Sequence, residues 1–145
     1  MKGIEIRKMN DEDIPRIVDI WYETSVTAHS FISEKYWESN RELMKTQYLP
    51  ISETYVALIN NDIAGFISII DEYLAAIFVR PDTQGKGIGS SLLNHVKSIR
   101  NNLQLKVYMK NQKTIEFYKA HGFAVVSEST DNETDENEFI MEWHK

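Results

Sequence analysis

The stretch VRPDTQGKGIGSSLL, residues 79–93, places three glycines within five positions just before an apolar-periodic segment. The apolar run 74–79 is typical of a buried strand, and the apolar residues after Ser91 follow the spacing of a helix. Glycines at this density let the main chain come close to a ligand, with its N–H groups pointing outward. The stretch therefore predicts an anion-binding turn at a helix N-terminus, and phosphate is the expected anion.

Two well-known glycine-rich turns do not fit this spacing. A P-loop needs Gly-Lys followed by Ser or Thr, whose hydroxyl binds magnesium, but here Gly87 follows Gly85-Lys86. A dinucleotide-binding turn needs its third glycine at the position of Ser90 and an acidic residue near the end of the next strand. That strand ends at 107–110 as Val-Tyr-Met-Lys, so this interpretation fits poorly.

Length and composition describe a globular protein. The 145 residues predict one domain spanning 1–145, with 42% hydrophobic and 26% charged residues. No apolar run approaches the roughly 20 residues of a membrane span, and residues 1–5 lack the apolar core of a signal peptide. Cysteine is absent, which excludes disulfides, thiolate metal sites and a cysteine nucleophile. We expect a cytoplasmic protein with no membrane partner and no metal.

The net charge of −6 is concentrated in one segment, residues 128–138, which holds six carboxylates and no Lys or Arg. Elsewhere acidic and basic residues balance, so a nucleic acid would find no basic stripe, and we expect no nucleic-acid partner. The segment is predicted to be a loop joining two strands. It is either a solvated loop or an electrostatic attractant for a cationic substrate.

The apolar periodicity predicts the element order β-α-α-β-β-β-α-β-α-β-β. The helices begin at Asn10 or Asp11, after Ser33, after the glycine turn and at Asn111, and the second closes before Pro50. The predicted strands are a short one around 4–7 and then 54–59, 63–70, 74–79, 103–108, 123–126 and 139–143. Hairpins and helical crossovers both occur, so the fold class is α/β with a mixed sheet.

The segment Gln84-x-x-Gly87-x-Gly89 lies after Val79-x-Pro81 and before a Leu-rich helix, and it resembles motif A of the GCN5-related N-acetyltransferases, the GNAT family. Residues 111–123, NQKTIEFYKAHGF, are similar to the family's other acetyl-CoA segment, and the element order matches along the chain. Trp21 and the segments 29–32, 36–37 and 66–68 resemble its small bacterial YiaC/YjaB-like branch. The resemblance implies a GNAT fold with about seven strands, four helices and splayed central strands.

The resemblance also implies acetyl-CoA as cosubstrate. Main-chain N–H groups of the turn would hold the pyrophosphate, and the end of the preceding strand and an asparagine would bind the pantetheine arm. The implied residues are Ile77, Phe78, Val79, Gln84, Gly85, Lys86, Gly87, Ile88, Gly89, Ser90 and Asn111. From the residues alone, Asn111 is equally compatible with a helix N-cap, and Lys86 with an exposed lysine.

For catalysis, the resemblance implies that Tyr118 is the general acid that protonates the departing thiolate. Taken alone, Tyr118 is also compatible with a core tyrosine. A strand N–H near Phe78 would polarise the acetyl carbonyl. The candidate bases are Glu72, acting through water, His29 and Glu23.

The resemblance and the aromatic residues of the first two helices place His29, Phe31 and Trp37 in an acceptor pocket. We expect a primary amine acceptor, a protein lysine or a small polyamine, whose cation can lie on a π face. A non-catalytic acetyl-CoA sensor and an enzyme for other acyl-CoAs are the alternatives. Either a monomer or a homodimer is compatible with the sequence.

Overall fold

The computed structural model describes residues 3–145, so Met1 and Lys2, at the start of the segment 1–5 in which no signal-peptide core was found, lie outside the described residues. Within that range one sheet has seven strands in the order β1-β2-β3-β4-β5-β7-β6. The strands are β1 (Glu5–Lys8), β2 (Glu53–Ile59), β3 (Asp62–Ile70), β4 (Tyr73–Val79), β5 (Asn102–Tyr108), β6 (Ala124–Asp131) and β7 (Glu136–His144). The four main helices are α1 (Ile14–Ala28), α2 (Glu34–Ser39), α3 (Ile88–Ile99) and α4 (Gln112–Ala120). The predicted mixed α/β fold is confirmed.

The sheet separates two hydrophobic cores, because successive side chains of a strand point to opposite faces. On β3, Phe66 packs with Trp21 and Trp37 of α1 and α2. Its neighbours Ile67 and Ile69 pack into the other core, which contains the buried faces of α3 and α4. Within residues 3–145, none of the helices combines the length and the apolar character that crossing a bilayer demands.

The central strands β4 and β5 diverge. They run parallel and pair at one position only, Tyr73 opposite Gln104. The flanking pairs, β3 with β4 and β5 with β7, are antiparallel ladders that continue along most of each strand. Beyond Tyr73 a gap therefore opens between β4 and β5 toward their carboxyl ends, which lead into the glycine turn and to Asn111. The predicted splay is confirmed.

The second helix differs from its prediction at its C-terminal end. It begins where expected, with Ser33 Oγ accepting a hydrogen bond from the N–H of Tyr36 at 3.3 Å. It breaks at Asn40, however, and continues as short helical and π-helical turns to Ile51, so it does not close before Pro50. Pro50 is tolerated because it lies at the start of the last turn, where its missing N–H has no intrahelical partner to lose.

The acidic segment is not the predicted loop. β6 and β7 extend through it as an antiparallel hairpin, which leaves only residues 132–135 as the turn. Cross-strand polar contacts accompany the pairing: Thr130 Oγ1 donates to Asn137 Oδ1 at 3.2 Å, and Ser129 lies opposite Glu138. Polar residues on both faces hide the alternation by which a strand is recognised in a sequence.

Candidate active site

A cavity of about 1160 Å³ lies at the gap between β4 and β5. Its walls include Trp37 from the core beneath α1 and α2, and Ile88 and Tyr118 from the opposite core, so the cavity connects the two faces of the sheet. The volume exceeds the roughly 300–1,000 Å³ of a typical small-ligand pocket, which leaves room for two reactants. The predicted site residues that line it are His29, Trp37, Ile77, Phe78, Val79, Gln84, Gly85, Gly87, Ile88, Gly89, Ser90, Asn111 and Tyr118.

Arg80, which precedes the glycine turn, is held by hydrogen bonds to two carboxylates. Its guanidinium forms two hydrogen bonds to Asp82, of 2.7 and 3.0 Å, and one of 2.5 Å to Asp62. These carboxylates raise the pKa of Arg80, so its charge is fixed. Gln84 Nε2 donates to the carbonyl oxygen of Val79 at 3.1 Å, which ties the turn back to the end of β4. The turn is therefore held by side chains that leave its main chain free.

The main chain of the turn offers a series of unused donors. None of the N–H groups of residues 84–90 donates to a main-chain oxygen of residues 3–145. Gly85 and Gly87 both have a φ of 83°, a left-handed conformation that favours glycine, and a Cβ added at either would meet no atom within 4 Å. The glycines thus keep an open concave surface of donors at the positive end of the α3 dipole, which suits a phosphate.

Two polar residues of the cavity lining, Ser90 and Asn111, each lie within hydrogen-bond distance of a histidine. His121 Nδ1 donates to the carbonyl oxygen of Phe117 at 2.8 Å, and its Nε2 lies within hydrogen-bond distance of the Ser90 hydroxyl oxygen, 3.0 Å away. Asn111 forms no capping bond to α4, and its Nδ2 lies 3.4 Å from His29 Nδ1. The absence of a cap favours a role for Asn111 in the cavity over the N-cap interpretation.

Tyr118 lies in the wall of the cavity with 6% of its surface exposed. It packs against the aromatic rings of Phe117 and Phe123, each with ring centroids 5.5 Å away. Burial raises the pKa of the Tyr118 phenol above its ordinary value, and the neighbouring Tyr73 adds to the rise. The phenol therefore remains protonated at neutral pH, as a proton donor must.

An aromatic cluster surrounds His29 on the side of the sheet covered by α1 and α2. The imidazole lies 5.4 Å from the ring of Tyr108, 5.6 Å from that of Trp37 and 5.9 Å from that of Phe31, measured between centroids. Burial lowers the pKa of His29 to about 4, so the ring is neutral at physiological pH. A neutral His29 contributes a polar edge to an otherwise apolar wall.

The acidic hairpin borders this aromatic cluster. Tyr36 donates its hydroxyl hydrogen to Glu133 Oε1 at 2.7 Å, and Tyr108 donates to Asp131 Oδ2 at the same distance. Burial and these hydrogen bonds raise the pKa of both phenols. Glu133 and Asp131 therefore lie beside the aromatic cluster, held there by hydrogen bonds from two of its tyrosines.

Three predicted site residues do not line the cavity. Glu72 is exposed in the turn between β3 and β4, where its carbonyl oxygen accepts the N–H of Gln104 at 2.9 Å and its Oε2 lies 3.5 Å from Asn102. This is the closed end of the β4–β5 gap, so the placement gives no support to Glu72 as the base. Lys86 is exposed on the turn, and Phe31 lines a small adjoining cleft instead. Glu23, another candidate base, is also exposed and outside the cavity.

The structure adds two side chains that the sequence did not single out as site residues, Glu138 and Thr24, and shows an unpaired polar atom on the predicted Trp37. Glu138 lines the cavity as a buried carboxylate. Thr24 Oγ1 and Trp37 Nε1 are buried without a hydrogen-bond partner in residues 3–145, and both residues line the cavity. Only a correct strand assignment for residues 136–144 could have distinguished Glu138 from the other carboxylates of the acidic segment. In the described part of the chain, no three His, Asp or Glu side chains are grouped for metal binding.

Comparisons with known proteins agree with this geometry. Residues 50–125 match the family model described as an acetyltransferase (GNAT) domain. The chain is 35% identical over 139 residues to the peptidyl-lysine N-acetyltransferase YiaC of Escherichia coli K12, covering 95% of each. It is 32% identical over 127 residues to the peptidyl-lysine N-acetyltransferase YjaB of Salmonella typhimurium LT2, covering 87% of each.

Two solved structures share the fold along nearly the whole chain. The solution structure of apo YjaB from Escherichia coli has a TM-score of 0.86 at 27% identity and covers 97% of each chain. The PaiA N-acetyltransferase from Thermoplasma acidophilum, solved in complex with coenzyme A, has a TM-score of 0.82 at 26% identity and covers 99% of each chain. The resemblance stated from motif A and residues 111–123 is confirmed, as is the YiaC/YjaB-like branch.

Proposed function

The chain belongs to the GNAT family of acetyltransferases, and we propose that it transfers the acetyl group of acetyl-CoA to the side-chain amine of a protein lysine. The observation that carries the proposal is the single cavity that joins the unused N–H groups of the glycine turn to the aromatic cluster. A donor and an acceptor that enter from opposite faces of the sheet would meet in the gap between β4 and β5.

Acetyl-CoA fits the residues at the glycine turn. The free N–H groups of residues 84–90 would bind the pyrophosphate, and the open space at Gly85 and Gly87 lets it approach the main chain. Residues 77–79 at the end of β4 and Asn111 line the cavity beyond the turn, where the pantetheine arm would extend. The cosubstrate supplies the activated acetyl thioester, and the protein supplies position and proton transfer.

Tyr118 is the general acid in this proposal. The thiolate that leaves when the amine attacks needs a proton, and a buried phenol whose pKa is raised holds one at every physiological pH. The Tyr118 hydroxyl has no hydrogen-bond partner among residues 3–145, so its proton is not committed to another group. A main-chain N–H near Phe78, on the open side of β4, would polarise the acetyl carbonyl.

The acceptor side favours a flexible cation with an apolar stem. His29 and Trp37 line the cavity and form aromatic walls, which suit the methylenes of a lysine and leave its ammonium over a π face. Glu133 and Glu138 are the carboxylates of the cavity wall, and they attract the positive charge. YiaC and YjaB, the relatives named above, are described as peptidyl-lysine N-acetyltransferases. A small polyamine presents the same chemistry and is the second acceptor class.

A thiol-release assay tests the proposal. Acetyl-CoA is mixed with Nα-blocked lysine peptides and with polyamines, and CoA release is compared with and without the protein. We expect acceptor-dependent release with the peptides. Bound acetyl-CoA without turnover on any amine would instead support a non-catalytic acetyl-CoA module, for which Tyr118→Phe leaves the cellular role intact.

A further inference from the structure

Glu138 is a carboxylate with no cation to balance it. The residue is 9% exposed on β7, and the one hydrogen bond that its carboxylate accepts within residues 3–145 comes from Ser129 Oγ, 3.3 Å from Oε1. No Lys, Arg or His nitrogen of the described chain lies within 4.0 Å of its oxygens. Buried carboxylates are ordinarily paired, because an isolated buried charge is costly. A carboxylate left in this state is suited to receive a charge or a proton from a ligand.

Glu138 faces the reaction space. It lines the same cavity as Tyr118 and lies directly opposite Tyr108 in the β5–β7 ladder. Tyr73, at the origin of the β4–β5 gap, interacts electrostatically with both Glu138 and Tyr118. Glu138, Tyr73 and Tyr118 therefore all line one cavity, which is large enough for two reactants.

The surroundings of Glu138 favour its protonated form. Burial is the main cause that raises its pKa, and the negative charge of Asp131 on β6 raises it further. Lys106 on β5 opposes this rise, but it is too distant to form an ion pair, and the hydrogen bond from Ser129 opposes it weakly. A carboxylate whose pKa is raised toward neutrality is a better proton acceptor than an ordinary surface glutamate.

Building on the proposed function, we infer that Glu138 is the general base that takes a proton from the acceptor ammonium. One N–H bond of the ammonium breaks and its proton moves to the Glu138 carboxylate, which leaves a lone pair on nitrogen. That lone pair forms the N–C bond to the acetyl carbon as the C–S bond breaks, and the sulfur receives a proton from Tyr118. The second nitrogen proton replaces the one lost by Tyr118, and the proton on Glu138 leaves to solvent.

The pH profile of Glu138→Gln tests the inference. With the base in place, kcat/KM rises as Glu138 deprotonates, above the ordinary glutamate pKa of about 4.3, and then stays level until the amine itself loses its proton. Without the base, only the small fraction of neutral amine reacts, so kcat/KM climbs about tenfold per pH unit toward the lysine pKa of about 10.4. At pH 7.5 we expect a loss of about 100-fold or more that shrinks as the pH rises.

Glu142→Gln is the matched control. Glu142 lies on the same strand and the same face, but it does not line the cavity and instead bonds Gln104 and His144 at the exposed end of β7. We expect its pH profile to follow the wild type. Calorimetric CoA affinity should be unchanged in both variants, because neither residue adjoins the glycine turn.

Folding is monitored separately. Since burial penalises the charged form of Glu138, Glu138→Gln should have a Tm equal to or above the wild-type value at pH 8. If it unfolds instead, Glu138→Asp keeps the carboxylate and should retain the level region of the profile at reduced kcat.

Several outcomes overturn the inference. If the pH profile of kcat/KM in Glu138→Gln matches that of the wild type, the carboxylate is not the base. The same follows if kcat/KM in Glu138→Asp rises with pH throughout, with no level region. A raised KM with unchanged kcat and an unchanged profile shows that Glu138 only binds the ammonium. A wild-type protein that acetylates no amine overturns the proposed function and this inference together, whereas an active wild type with an equally active Glu138→Gln overturns the inference alone.

Discussion

Replacement of Gly87 by alanine separates the ligand-binding role of the glycine turn from its folding role. Gly87 has a φ of 83°, and an added Cβ would meet no atom of the protein within 4 Å. The cost to folding is therefore the left-handed backbone alone, about 1–2 kcal/mol. For a domain of this length that lowers the Tm by about 3–8 °C.

The expected cost to cosubstrate binding is larger and has a different origin. The backbone strain is present with and without ligand, so it cancels from the binding free energy. The new methyl group occupies the space from which a phosphate would reach the free N–H groups. Losing one charge-assisted hydrogen bond costs about 1.5–3 kcal/mol. We therefore expect the Kd for CoA to rise by about 10- to 150-fold, and Gly87→Val to bind more weakly still.

Gly122→Ala is the control for backbone strain. Gly122 has a φ of 90° after α4, outside the cavity, and an added Cβ would lie 3.3 Å from Trp143 Cδ1. It should lose at least as much stability as Gly87→Ala while CoA affinity, measured by titration calorimetry, stays within about twofold of wild type. Unchanged CoA affinity in Gly87→Ala would refute the assignment of the turn as the pyrophosphate site.

Three further substitutions test other parts of the site. Tyr118→Phe should lower kcat about 100-fold or more with CoA affinity and Tm nearly unchanged, since the hydroxyl has no partner to lose; undiminished turnover would refute its role as the acid. Asn111→Ala should weaken CoA binding while costing less than the roughly 1 kcal/mol of a lost N-cap, measured by urea unfolding, because no capping bond exists. His29, whose folded pKa of about 4 lies below the ordinary 6.5, should make wild type lose stability as the pH falls from 6.5 to 4, and His29→Gln should remove that part of the loss; an equal slope in both would refute the burial of a neutral His29.

The sequence predicted the parts of the molecule whose patterns are local. Three glycines before an apolar-periodic helix predict a turn at the start of that helix, which the structure has, and the apolar runs of β3 and α3 carry the periods of their elements. The two strands of the hairpin 124–144 were predicted at 123–126 and 139–143, but their extension into the acidic segment was missed because neither face there is apolar. The burial of Glu138 was missed for the same reason, since its neighbours come from other strands: Tyr108 of β5 lies opposite it and Ser129 of β6 donates a hydrogen bond to it. Glu72 was favoured for being next to the splayed strand, but proximity in sequence does not say which end of the strand opens.

The central claim is that the protein transfers the acetyl group of acetyl-CoA to a lysine amine within the cavity. Mass spectrometry of an Nα-blocked peptide with one lysine, incubated with the protein and acetyl-CoA, tests it most directly, with the same peptide carrying arginine in place of lysine as the control. The account predicts the addition of one acetyl group to the lysine peptide, none to the arginine peptide, and little to either with Tyr118→Phe. A protein that binds acetyl-CoA in calorimetry yet leaves every lysine peptide unmodified would contradict it.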